Sequence, residues 1–292
     1  MSKSASELIL NPDGSIYHCN IKPEHLADLV ITVGDPDRVK EVSKYFDHIE
    51  FKTQKREIVT HTGTLSGKRM TVISTGMGTD NIDIVFSELD ALANIDLSTG
   101  EIKPEFRKLS FVRMGTSGAL HKENPVDSYV LSTHGLGLDG LLHFYQDSEK
   151  YRSLEIEKAF LDHSNWDRKK AMPYAVKGSD RLFDQLNSEL IRAGITATAI
   201  GFYGPQGRYL RLIPEPGNIN EILAGFSFGD LKITNFEMET SAIYGLSAMM
   251  GHEALSINCI VANRALGEFS KDPHRSVNLM IQYALEKLVS KN

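Results

Sequence analysis

Two cysteines stand in 292 residues, Cys19 and Cys259. They lie far apart and match no metal-ligand spacing, so neither a disulfide scaffold nor a zinc module is expected, and a reducing compartment is the default. No window approaches about 18 apolar residues, so no membrane span or membrane partner is expected. The stretch Met1–Leu10 has one lysine and no apolar run of signal length, and a cytoplasmic location is the expectation. Positive charge is not in excess: 32 Lys and Arg stand against 38 Asp and Glu, a formal net charge of −6. A general nucleic-acid surface would show a basic excess, so no nucleic-acid partner is expected; a local cationic pocket for a small anion stays compatible. Low-complexity tracts, internal repeats and Pro/Gly/Ser linkers are missing too. One domain over residues 1–292 is therefore expected, of ordinary globular composition, 41% hydrophobic and 24% charged.

Apolar, β-branched runs recur along the chain: Leu29–Val33, Met70–Ser74, Leu109–Val112, Tyr129–Ser132, Thr196–Gly201 and Ala254–Val261. Runs apolar on both faces suit buried strands. Helical patterns lie between several of them. Ile82, Val85, Phe86 and Leu89 share one helix face; Ala242, Ile243, Leu246, Met249 and Met250 share another, which Gly251 stops. Strands alternating with helices predict an α/β domain with a helix-covered, parallel or mixed sheet. Ligands of such sheets bind beyond the carboxyl ends of strands. Asn94–Arg107 reads as a surface excursion, and Asp147–Lys170 as a charged, solvated helical stretch.

Five segments at strand ends carry the chemistry. In Val33–Arg38, a strand ends in Gly34, Pro36 presets a turn and Arg38 follows. Glycine lets backbone N–H groups approach an oxyanion, and a guanidinium supplies paired donors to phosphate; a tight turn with an exposed arginine fits equally. Ser74–Asn81 is a Gly-rich strand-to-helix loop, neither G-x-G-x-x-G nor a Walker sequence. In Val112–Gly118, Arg113 is expected at the very end of an apolar strand, beside Thr116, Ser117 and two glycines. A charge there must meet a ligand or a structural carboxylate, because burying it bare costs several kcal/mol. One tetrahedral oxyanion would satisfy these glycines, hydroxyls and arginines together. Glu237 and Glu239, two apart at the start of an apolar helix, suit either N-terminal capping or bidentate acceptance from a vicinal diol. In Gly201–Arg208, Gln206 offers an acceptor and two donors, and Arg208 donors only, a set that matches an imide edge. Phe202 is placed to stack on or flank a base, and a solvated loop is the alternative reading.

In this order, Gly34-Asp35-Pro36-Asp37-Arg38, Arg113-Met114-Gly115-Thr116-Ser117-Gly118 and Glu237-Met238-Glu239-Thr240 resemble the motifs of the nucleoside phosphorylase superfamily, and within it the uridine phosphorylases, from about His18 to the C-terminus. The resemblance implies a three-layer α-β-α domain around a central mixed, twisted sheet, of the phosphorylase/hydrolase-like type. It also implies phosphorolysis of uridine and deoxyuridine to uracil and a pentose 1-phosphate. Gly34, Arg38, Arg113 and Thr116 would hold phosphate, joined by Arg56 from a neighbouring subunit. Met238, Glu239 and the neighbour's copy of His18 would hold ribose. Ser117, Gly118, Phe202, Gln206, Arg208 and Glu237 would face the base. Arg113, Glu239, Gln206 and Arg208 would be catalytic, absorbing charge on sugar and base. Bacterial purine enzymes of the superfamily have an aspartate where Asn263 stands here, and an amide cannot titrate in that role; Arg264 would fix the Gln206–Arg208 loop. No cofactor is expected, phosphate being a co-substrate. Glu57 matches one ligand of a monovalent-cation site, but Asn81 stands near that site's serine. A homo-oligomer is implied, a dimer or a hexamer of dimers. A purine nucleoside phosphorylase, a nucleoside hydrolase of the same fold and a non-catalytic nucleoside-binding protein are the alternatives.

Overall fold

The computed structural model describes residues 3–290; the two residues at each end of the expected domain lie outside them. The chain begins with β1 (Leu29–Val33), α1 (Pro36–Ser43), β2 (His48–Lys55), β3 (Ile58–Leu65), β4 (Lys68–Ser74) and α2 (Thr79–Asn94). A small pair follows, β5 (Ile95–Asp96) and β6 (Glu101–Ile102), and then the long strands β7 (Ser110–Ala119) and β8 (Tyr129–Gly137). Next come α3 (Leu154–Ser164), β9 (Tyr174–Lys177), α4 (Asp180–Leu186), β10 (Arg192–Thr198) and α5 (Ile219–Ala224). The last elements are β11 (Ser227–Phe228), β12 (Leu231–Glu237), α6 (Thr240–Met249), β13 (Glu253–Asn263), β14 (Glu268–Phe269) and α7 (Pro273–Val289).

The main sheet runs β11-β12-β10-β8-β13-β7-β1-β4-β3-β2, with β9 on β8 and β14 on β13. β4, β1, β7 and β13 are parallel, and β8 meets β13 antiparallel, so the sheet is mixed. All five residues of β1 are buried, which requires helices on both faces. Handedness supplies them. β4 lies on one side of β1 and β7 on the other. Right-handed crossovers in opposite directions place the helices after β1 and β4 on opposite faces. Accordingly α1 packs with α7, and α2 packs with α6. The helix face predicted from Ile82, Val85, Phe86 and Leu89 is wholly buried. Phe86 of α2 meets Phe111 of β7 with ring centroids 4.4 Å apart. Each such fully buried side chain contributes roughly 1.5–3 kcal/mol, which docks α2 over the strand that carries Arg113. On α6, Ala242, Ile243 and Leu246 are buried, while Met249 and Met250 are only part-buried.

Two expectations change. β7 does not stop at Val112; it continues through Arg113 to Ala119, so Arg113 lies inside a ten-residue strand. The reason is pairing: Gly115–Ser117 continue the ladder with Asn258–Ile260 of β13. Beyond them, Gly118 and Ala119 pair with Phe236 and Asn235 of β12. That last pairing closes β7, β13, β8, β10 and β12 into a ring. Irregularities at Gly194/Ile195 and Ile260/Ala262 bend the strands, as bulges do. The Asp147–Lys170 stretch is not simply solvated. α3 buries Ile156 and Phe160 in a second core with Leu223 and Phe236, and Glu157 is held by Arg152 at 2.6 Å. Asn94–Arg107 is largely a surface excursion, with both residues of β6 exposed. Among the described residues, no helix is long and apolar enough to cross a membrane.

Candidate active site

Arg113 organises the centre. It is 5% exposed, and its guanidinium is held from two sides. Nη2 donates to Glu239 Oε2 at 2.6 Å and lies 3.1 Å from Glu237 Oε2. Nη1 donates to Asn258 Oδ1 at 2.7 Å. Burial alone would lower the Arg113 pKa; Glu237 and Glu239 outweigh it and raise the value above its ordinary level. Gly115 is obligatory here. It lies two residues on, on the same strand face, and a Cβ built on it would stand 1.6 Å from Arg113 Nη1. The Gly-rich character of this segment thus makes room for a guanidinium.

The two carboxylates divide their work. Glu237 ends β12, and its oxygens accept from Thr198 Oγ1 at 2.8 Å, from the Glu239 N–H at 3.0 Å and from the Thr240 N–H at 3.0 and 3.1 Å. It therefore receives the free N–H groups at the start of α6, which a carboxylate satisfies well. Burial pushes its carboxyl pKa up; Arg113 opposes this and Glu239 adds to it. Glu239 uses Oε1 to accept the Gly78 N–H at 2.8 Å, which ties the Gly-rich loop after β4 to Arg113. Gly135 of β8 lets α6 start this close, since a Cβ on it would meet Ser241 Cα at 2.7 Å.

Around this core, β1 ends at Gly34, and Arg38 on the first turn of α1 reaches inward to donate to the Met114 carbonyl at 3.4 Å. Burial, and then the charge of Arg113, push the Arg38 guanidinium below its ordinary pKa. Arg113 is met by two carboxylates, whereas Arg38 makes no ion pair among the described residues. Thr116 is part-buried on β7, two residues beyond Met114. Ser117 Oγ accepts from Asn235 Nδ2 at 2.9 Å, so that hydroxyl already has a partner. Gly118 faces Arg264, whose Cγ would lie 3.7 Å from a Cβ there.

The Gln206–Arg208 loop is a built unit. Gln206 is buried, and Arg208 Nη1 donates to its Oε1 at 2.5 Å and to the Phe202 carbonyl at 2.7 Å. The Arg208 guanidinium lies 3.7 Å from the Phe202 ring centroid, a cation–π stack. Its pKa is pushed down to about 10, by burial first and by Arg264 second. Arg264 Nη2 donates to the Gly207 carbonyl at 3.5 Å and its backbone N–H to the Ala119 carbonyl at 2.8 Å, so it braces the loop against β7. Asn263 faces elsewhere: its amide donates to the His121 and Asn124 carbonyls at 2.9 and 2.8 Å and accepts from the Leu266 N–H. It staples two loops.

The remaining residues stand apart from Arg113. Arg56 is exposed on the β2–β3 turn, and among the described residues its side chain makes no ion pair with the central carboxylates. Glu57 is exposed beside it. His18 is part-buried near the N-terminus, its ring 2.6 Å from Glu88 of α2, and Glu88 also accepts its backbone N–H. Met238 is part-buried between the two glutamates.

Sequence reasoning missed the partners of Arg113 and Glu237. Ser256, Asn258 and Thr198 are fully buried polar side chains within apolar strands. A signal existed: Ser256 and Asn258 interrupt Ala254–Val261 two residues apart, which puts both on one strand face. A cavity of about 450 Å³ lies at the other end of the sheet, near Asp28, Lys68, Arg107 and Arg181. Its arginines are ion-paired, Arg107 with Asp28 at 2.7 Å and Arg181 with Glu253 at 2.9 Å, and it is remote from Arg113.

Residues 28–289 match the family model of the Phosphorylase superfamily. The chain is 30% identical to a Trypanosoma brucei nucleoside phosphorylase reported to show uridine phosphorylase activity; the match covers 98% of this chain and 100% of that one, with a TM-score of 0.87. It is 27% identical to a uridine phosphorylase of Thermococcus kodakarensis over 94% of this chain and 87% of that protein. It is 26% identical to a DeoD-type purine nucleoside phosphorylase of Geobacillus stearothermophilus over 93% of this chain and 98% of that protein.

Proposed function

The chain belongs to the phosphorylase superfamily, and from that premise we propose that it is a pentosyltransferase that cleaves uridine with inorganic phosphate, releasing uracil and ribose 1-phosphate. The observation that carries the choice of base is the braced Gln206–Arg208 pair, an amide and a guanidinium joined at 2.5 Å and held against β7 through Arg264. That pair suits an edge of alternating carbonyl and N–H groups, as uracil presents. Asn263 supports the same reading. Its N–H groups are committed to loop carbonyls, and an amide carries no titrating proton to transfer to a purine nitrogen.

In this reading phosphate lies between Arg38, Arg113, Gly34 and Thr116. Its oxygen attacks C1′ while the bond to the base stretches. Glu239 and Met238 hold the sugar, and the sugar's positive character is met by Glu239 and the phosphate. Negative charge growing on the uracil oxygens is met by Gln206 and Arg208. Donors aimed where charge develops contribute about 3–4 kcal/mol each, and holding phosphate against C1′ removes part of the entropic barrier.

Charge arithmetic favours a shared site. One guanidinium, Arg113, against two carboxylates, Glu237 and Glu239, leaves one negative charge at the centre. Arg38 alone does not balance a phosphate dianion added to it. With Arg38 and a phosphate dianion the centre would carry about two negative charges; the exposed Arg56 of a neighbouring subunit would offset one of them, and that neighbour's His18 would reach the ribose. A dimer is the smallest assembly that does this. Phosphate and the nucleoside are then the only ligands the reaction needs, and a cytoplasmic location suits them.

Uridine, cytidine, inosine and adenosine compared at saturating phosphate test the base assignment. Each buried polar group left unpaired by the wrong base costs about 1–3 kcal/mol. Uridine is expected to exceed inosine and adenosine by at least about 10³-fold in kcat/KM, if two groups are left unpaired. Cytidine is expected to be poor, since its 4-amino group meets the donors of Arg208. Equal turnover of inosine would make this a purine enzyme or an unselective one.

A further inference from the structure

Arg113 is reached from the ring interior by an unbroken line of buried side chains that spans its strands. Asn258 on β13 accepts from Arg113 Nη1 at 2.7 Å, and its own amide donates to Ser256 Oγ at 3.1 Å and to Ser132 Oγ of β8 at 3.3 Å. Ser132 and Thr196 of β10 share a hydrogen bond of 2.5 Å. Thr196 Oγ1 donates to Asn235 Oδ1 of β12 at 2.9 Å, and Asn235 Nδ2 donates to Ser117 Oγ at 2.9 Å, back on β7. Asn258, Ser256, Ser132, Thr196 and Asn235 are all 0% exposed. One line of hydrogen bonds thus leaves β7 at Arg113, crosses four strands and returns to β7 at Ser117.

We propose that Asn258 is a positioning residue for Arg113 on the phosphate side of the site, and that the buried line leading away from it through Ser132 holds Asn258 in place. The physical case begins with the guanidinium. Glu237 and Glu239 both pull on Nη2, and nothing in that pull fixes the rotation of the fork about its long axis. Asn258 fixes it through Nη1, as the second point of a two-point mount. An asparagine is suited to this. Its carbonyl faces the cation without adding a third negative charge to a place that must accept an anion, and its NH₂ anchors it to two hydroxyls. Each link past Asn258 is neutral, so the line transmits geometry and not charge. A fully satisfied buried network of this kind rigidifies what it touches. At the far end Ser117 sits beside Gly118, against which Arg264 packs, and Arg264 braces the Gln206–Arg208 loop.

The phosphate role rests on the phosphorolysis reading; the mount itself does not, and the test keeps them apart. Inorganic phosphate binding to the nucleoside-free protein is measured by calorimetry for wild type, Asn258→Ala and Ser132→Ala, with circular dichroism and Tm to confirm folding. Uridine KM and kcat are measured separately. Asn258→Ala is expected to weaken phosphate binding at least about tenfold, with uridine KM within about twofold. Ser132→Ala removes one of the two hydroxyl anchors of Asn258, leaving Ser256, together with the partner of Thr196, and is expected to weaken phosphate binding by about threefold. Unchanged phosphate affinity in a folded Asn258→Ala protein overturns the proposal, and so do equal losses for uridine and phosphate. If Asn258→Ala does not fold, Ser132→Ala decides: unchanged phosphate affinity there overturns it. Failure of wild type to cleave uridine would reject the reaction and leave the phosphate measurement valid.

Discussion

Arg113 and Gly115 show how one residue type dictates another. The guanidinium needs the volume that any Cβ at position 115 would fill, because that atom would stand 1.6 Å from Nη1. Gly115→Ala is therefore expected to act as a functional knockout of Arg113 without touching it chemically. Arg113→Ala removes at least one charge-assisted hydrogen bond to an anion, worth roughly 1.5–3 kcal/mol, and up to two. A loss in kcat/KM of about 10–10⁴-fold follows at 1.36 kcal/mol per decade. Gly115→Ala is expected within about tenfold of Arg113→Ala, with the far-ultraviolet circular dichroism of wild type. A folded Gly115→Ala enzyme of nearly full activity would show that the fork is not needed where it stands. At this scale the sequence was partly legible. Arg113 stood out because a charge in an apolar run demands a partner. Its partners did not, because Asn258 and Ser256 look like strand polar residues until the ring closes and buries them. Asn263 was read by what it lacks, a titrating proton, whereas its physical work is stapling His121, Asn124 and Leu266.

At the scale of elements, apolar runs located β1, β4 and β13 and the buried faces of α2 and α6, but Tyr129–Ser132 covers only the start of β8, and β10 is Arg192–Thr198 rather than Thr196–Gly201. The end of β7 was misplaced for a physical reason. Gly115-Thr116-Ser117-Gly118 has the composition of a loop, and only its partners on β13 and β12 make it a strand. Pairing across a closed ring is long-range information that local composition does not contain. The amino ends of β7 and β13 show a second long-range device. Glu253 of β13 accepts from Arg181 of α4 at 2.9 Å, from Ser179 Oγ at 2.9 Å and from Ser110 Oγ of β7 at 3.0 Å. Burial alone would raise the Glu253 pKa, but these hydrogen bonds outweigh it and lower it from 4.5 to about 2. A carboxylate with a depressed folded pKa stabilises the native state fully above its unfolded pKa, and that stability is lost as pH falls through the folded value. The window runs from about pH 4.5 down to about pH 2. Urea midpoints measured across it should fall more steeply for wild type than for Glu253→Gln. Parallel curves would mean that Glu253 does not couple α4 to the sheet in acid.

For the whole molecule, a net charge of −6 gives no general attraction for anions, and Arg38 and Arg113 concentrate two guanidiniums in one place. The fold explains the place. Parallel strands bring Gly34 and the Gly76–Gly78 loop to their carboxyl ends, and Glu239 joins that loop to Arg113 through the Gly78 N–H. The sequence motifs named Arg113, Glu237 and Glu239; they did not contain the closure of β12 onto β7 that sets the two carboxylates beside the arginine. The central claim is that phosphate is the attacking group. Extensively dialysed enzyme is given uridine with and without inorganic phosphate, and the sugar product is identified by phosphorus NMR. The account predicts cleavage only when phosphate is present, with one ribose 1-phosphate formed for each uracil released. Equal rates without phosphate, with free ribose as the product, would contradict it.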